Sequence, residues 1–74
     1  MLKDMHKWFI KYGNDLPTKN VVVHLRKKSA FQIAQDYANT FKYVEIYKRT
    51  YADRAILVAG ICNGYKQGKA WDEG

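Results

Sequence analysis

The chain has 74 residues, 47% of them hydrophobic and 15% aromatic, and its 13 Lys and Arg outnumber seven acids for a formal charge of +6. It is too apolar for a disordered chain, too short for more than one domain, and without any run near the ~20 apolar residues that span a bilayer. One cysteine, Cys62, excludes an internal disulfide, and the N-terminal residues lack an uninterrupted apolar stretch, so the expected location is a reducing cytosol (the host cytoplasm if the protein is viral).

Residues 5–12 alternate, with His6, Trp8, Ile10 and Tyr12 on one face and Lys7, Phe9 and Lys11 on the other, which predicts a strand. Residues 13–20 are turn chemistry throughout, with Pro17 lacking an amide donor. Residues 21–26 predict a second strand, with Val21, Val23 and Leu25 opposite Val22, His24 and Arg26, paired antiparallel to the first. Ser29 and Gln32 have the spacing of a capping box. Behind them Ala30, Ile33, Ala34, Tyr37, Ala38 and Phe41 make an apolar stripe at helical spacing, predicting a helix over 30–40.

Residues 43–51 predict a third strand, with Val44 and Ile46 on one face and Tyr43, Glu45, Tyr47, Arg49 and Tyr51 on the other. Residues 52–54 turn the chain, and 55–62 are apolar on both faces, as in a strand interior to a sheet. Asn63-Gly64 is a tight-turn signal that can fold 65–67 back as a short edge strand. The expected fold is α+β, β-β-α-β-β: one antiparallel-rich sheet of four or five strands with a single helix on one face. Residues 1–67 form the domain and 68–74 read as a flexible tail, with Trp71 able to dock on the body.

One helix covers one face of such a sheet. The opposite face then carries aromatics with nothing in the chain to cover them, which calls for a partner or a second copy in a homodimer. The positive excess favours an acidic partner, nucleic acid or protein, over a membrane.

Tyr43, Tyr47 and Tyr51 with Arg49 among them are spaced to lie along one side of a strand, the arrangement in which aromatics stack on single-stranded bases amid cations. The Gly-containing signature of RNA-recognition sheets is absent. Arg26-Lys27-Lys28 before a helix start would hold a phosphate or carboxylate. His6, His24 and Cys62 lack zinc-ligand spacing, so no metal or other cofactor is expected. No nucleophile motif or phosphate-cradling glycine loop occurs, and the chain reads as no enzyme. A metal-independent ribonuclease built on His24, Arg26, Tyr47 and Arg49 is the remotest reading.

Trp8-Phe9 in the first strand, Thr18-Lys19 before the second and Gln32-Ile33-Ala34-Gln35-Asp36-Tyr37-Ala38 in the helix carry a resemblance, over about the first two-thirds of the chain. In order of elements they are similar to the phage antitoxin that blocks a host mRNA-degrading toxin. More broadly, the chain resembles the small early proteins with which lytic bacteriophages disarm host systems. The hairpin over 43–62 is longer and more basic than the likeness requires, and no functional residue carries across. The resemblance implies inhibition by binding, directed at a host toxin, nuclease or defence complex.

Two functions follow. The first is a non-enzymatic inhibitor or regulator that binds a host protein or ribonucleoprotein through Trp8, Phe9, Tyr43, Tyr47, Arg49 and Tyr51. The alternative is an RNA or single-stranded nucleic-acid binder whose phosphate contacts come from Lys7, Lys11, Arg26, Lys27, Lys28, Arg49 and Arg54.

Overall fold

The computed structural model describes residues 7–50 and 54–73. Five strands form one sheet: β1 (Lys7–Gly13), β2 (Asn20–Leu25), β3 (Tyr43–Arg49), β4 (Ala55–Cys62) and β5 (Tyr65–Gln67). Every pairing is antiparallel, and the order across the sheet is β2-β1-β3-β4-β5. The single α-helix, α1 (Lys27–Tyr37), connects β2 to β3. Because β1 lies between those two strands, α1 crosses over β1, and it packs on β1, β3 and β4. The α+β arrangement follows the periodicities of the sequence, with β4 interior and β5 at the edge.

The helix begins earlier than its sequence signal. Arg26 is the N-cap and its side chain makes no capping bond, while Ser29 and Gln32 lie inside the helix, so the capping box is not used. The reason is the connection: β2 ends at Leu25 and the helix must start over the sheet at once, with the Ala30 N–H already bonded to the Arg26 carbonyl at 2.7 Å. Lys27 and Lys28 are therefore in the first turn rather than ahead of the helix. The stripe that meets the sheet also widens, since Phe31 packs edge-on against Trp8 with ring centroids 5.9 Å apart. Ala30 and Ala34, both fully buried, are small enough to bring the helix backbone close to the strands.

Two irregularities re-aim side chains. One, between Trp8 and Ile10, sets Leu25 opposite Trp8 and Val22 opposite Ile10, so the expected two-residue alternation of β2 breaks. The other, at Ile46 and Tyr47, leaves Val58 as the extra residue of β4 between Ala59 and Leu57. Such bulges shift which face each side of the break presents. β4 is not buried throughout as its composition predicts: Ala55, Ile56 and Leu57 are exposed, and β5 pairs only with Gly60, Ile61 and Cys62 at the other end of the strand.

The core lies between α1 and the inner sheet face, built on Trp8, Ile10, Val44, Ile46, Ala59 and Ile61. Tyr12, Tyr37 and Phe41 close its far end as a ring cluster, with Tyr12 at 4.4 Å from Tyr37 and 4.8 Å from Phe41. Within the segment read as a tail, Lys69–Glu73 is a 3-10 helix. Its Trp71 docks: the ring meets Phe31 at 4.8 Å and the Nε1–H donates to the Gly60 and Gln67 carbonyls at 3.1 and 2.9 Å. Since Phe31 belongs to α1, this C-terminal segment extends the helix layer and does not roof the other side of the sheet.

Candidate binding face

Strand parity sends Lys7, Phe9 and Lys11 of β1, Tyr43, Glu45, Tyr47 and Arg49 of β3, and Leu57, Gly60 and Cys62 of β4 to the face away from α1. Its β1–β3 half is filled. Phe9 and Tyr47 are cross-strand partners whose rings stack 5.0 Å apart and 5° from parallel. The Arg49 guanidinium lies 5.5 Å from the Phe9 ring and the Lys11 Nζ lies 5.6 Å from that of Tyr47. The two rings thus stand against each other with cations flanking them, and Phe9 is only 8% exposed. A base needs an open ring face on which to stack, and Phe9 has none to offer.

The loop between β1 and β2 is tied across to the third strand. Thr18, nearly buried, donates through Oγ1 to Glu45 Oε1 at 3.0 Å, and the Asn14 Oδ1 accepts from the Lys42 N–H at 3.0 Å. These anchors hold Leu16 beside the β3–β4 half of the face. There a groove of about 500 Å³ opens, walled by Leu16, Tyr43, Leu57, Cys62 and Gln67. Gly60, which pairs with Glu45, also lines it; a Cβ there would lie 3.0 Å from the Val44 carbonyl oxygen. Leu16 and Leu57 remain 62% and 56% exposed at the rim, an apolar surface with no covering element among the described residues.

The predicted partner-binding residues are therefore divided. Trp8 is in the inner core under α1, because it neighbours Phe9 in a strand and must take the opposite face. Phe9, Tyr47 and Arg49 form the stack, Tyr43 walls the groove, and Tyr51 lies outside the described residues. Leu16, Leu57, Gly60 and Cys62 were not expected at the site. Gly60 inside an apolar strand was the legible signal, as a place where something approaches closely.

Of the predicted phosphate ligands, Lys7, Lys11 and Arg49 share the outer face, whereas Arg26, Lys27 and Lys28 sit at the start of α1 and Arg54 just before β4. His6 and the His24 side chain lie outside what the structure describes. Cys62 does not join the β1–β2 hairpin: three strand spacings of about 4.8 Å separate β4 from β2. Among the described residues no three His, Cys, Asp or Glu side chains gather as metal ligands, and no helix is long and apolar enough to cross a membrane.

Tyr47 titrates above its ordinary value of 10.0, through burial first and then the negative charge and hydrogen bond of Glu45. Tyr37 is raised likewise, by burial and then by Tyr12. A raised acid favours its neutral form in the fold, so this contribution is intact below pH 10 and is lost as pH climbs through the folded values. Denaturation midpoints measured across alkaline pH are expected to fall more steeply for the wild type than for Tyr47→Phe; parallel curves would show that Tyr47 is not coupled to folding.

No protein-family model, curated protein or solved structure matches the chain.

Proposed function

We propose that the protein is a non-enzymatic binding protein that docks an acidic protein partner on the sheet face opposite α1. In line with its resemblance to small phage proteins, the partner is a host toxin, nuclease or defence complex, inhibited by being bound. The observation that carries this reading is the open apolar groove between Leu16, Tyr43, Leu57 and Cys62, beside a cation-flanked aromatic stack. Apolar anchors next to Arg and Tyr are the composition of interface hot spots. A standard interface takes about 800 Å² from each partner, a modest share of this protein's 5265 Å² surface, so a single sheet face can supply it. The positive charge supports an acidic partner by steering its approach.

The test is affinity capture from host lysate after nuclease treatment, with wild type and Leu57→Asp side by side. Leu57 is more than half exposed, so the substitution should leave folding intact. A protein partner retained by the wild type and lost with Leu57→Asp supports the reading. Loss of every partner after nuclease, or equal capture by the variant, removes it. A concentration-dependent dimer abolished by Leu57→Asp would put a second copy in the groove instead.

A further inference from the structure

The cations are not spread evenly. Lys7 opens β1, Arg26 and Lys28 begin α1, Lys48 and Arg49 end β3, and Arg54 precedes β4. The register brings them to one end of the sheet: Lys7 pairs with Arg49, Trp8 pairs with both Leu25 and Lys48, and Arg49 pairs with Ala55. All are exposed. They also occupy both sides of that end, since Arg49 shares the outer face with Phe9 while Lys48 lies over the Trp8 ring at 5.8 Å on the helix side. The carboxylates Asp15 and Asp36 are at the opposite end, in the β1–β2 loop and the last turn of α1, and Glu45 is mid-strand and bonded by Thr18. Among the described side chains, charge is thus polarised along the strands, with a positive excess at the end where β1 begins.

We propose that this end binds the phosphate backbone of nucleic acid, independently of the groove. The cations stand on four elements, from the β2–α1 junction to β4, so they span three strand spacings, about 14 Å. A duplex presents one charge per ~1.7 Å of its axis, so several phosphates lie within that reach together. The molecule is 16 Å across its shortest axis, and the arrangement runs around both faces of one sheet end. It suits a curved, regularly charged strand or groove, where a membrane would ask for one flat basic face. Among the described residues of that end Phe9 is buried in its stack and offers bases no platform, so contact there is through phosphates and indifferent to sequence.

The test is fluorescence anisotropy with duplex DNA, single-stranded DNA and single-stranded RNA of mixed sequence, titrated at several salt concentrations. Five phosphate contacts, from Lys7, Arg26, Lys28, Lys48 and Arg54, give a slope of log K against log salt near −4.5 on a duplex and about −3.5 on single strands. On duplex that is roughly a 500-fold loss between 50 and 200 mM salt. The double variant Lys28→Gln/Arg54→Gln is expected to weaken binding at least tenfold and to flatten the slope by about 2. Lys19→Gln/Lys42→Gln removes the same charge from the opposite end and is expected to change binding little, and Leu57→Ser, in the groove, to leave it unchanged. No binding to any of the three at micromolar protein and low salt overturns the proposal. So does equal weakening by the two double variants, which would show a net-charge effect without a site, and so does binding confined to anionic phosphatidylserine vesicles. Which of the three nucleic acids binds best identifies the source of the phosphates.

Discussion

Ile46→Ala is expected to destabilise the protein by about 3–4 kcal/mol, as large-to-small changes in a well-packed core do. Ile46 is wholly buried on the middle strand of the sheet, paired with Ile10 on one side and Ala59 on the other. Its neighbours are held by the strand ladders and by α1, so the cavity cannot collapse. A chain of 74 residues has a total stability of about 4–11 kcal/mol, so this one change removes a large part of it. Ile56→Ala removes the same atoms from a side chain that is 51% exposed, and should cost less than about 0.5 kcal/mol. Urea denaturation of both variants checks the pair. Equal losses would mean that the core is not between α1 and the inner face.

Gly68→Val is expected to cost about 3 kcal/mol and to release Trp71. Gly68 has a φ of +97°, a conformation that costs a β-branched residue heavily. A Cβ there would also lie 2.9 Å from the Val58 carbonyl oxygen and 3.1 Å from the Ala59 Cα, backbone atoms that cannot step aside. The segment must swing out, taking the Trp71 indole from the Gly60 and Gln67 carbonyls and from Phe31. Gly64→Ala separates the two causes. Its φ is +87° but its Cβ meets nothing within 4 Å, so only the backbone strain of about 1 kcal/mol is expected. Melting curves with tryptophan emission report both effects; an unshifted emission in Gly68→Val would mean that the indole is not docked.

The sheet and its helix were legible because their side-chain periods differ: Trp8, Ile10 and Tyr12 repeat every two residues, and Ala30, Ala34 and Ala38 every four. What escaped was set by tertiary geometry. Ser29 and Gln32 offered a capping box, but a one-residue connection from β2 moved the helix start to Lys27. The bulge opposite Phe9 altered the parity of β2, and nothing in Val-Val-Val-His-Leu marks where an extra residue sits. Tyr47 and Arg49 were placed on the correct face, yet their availability was not legible. Only the cross-strand register shows that Phe9 stands beside Tyr47 and Arg49 over Phe9. Leu16, hidden in a polar loop, and Leu57, inside an apolar strand, became groove walls because the Thr18–Glu45 bond and the exposed start of β4 put them there.

The claim on which the account turns is that the groove is open in the free protein and filled in the complex. Cys62 lines it, half-buried, and so reports on both states. Its thiol is expected to react readily with a maleimide in the isolated protein at dilute concentration, and at least tenfold more slowly once the captured partner is bound. A thiol that is already unreactive in the isolated protein, or that reacts equally fast in the complex, would contradict the account.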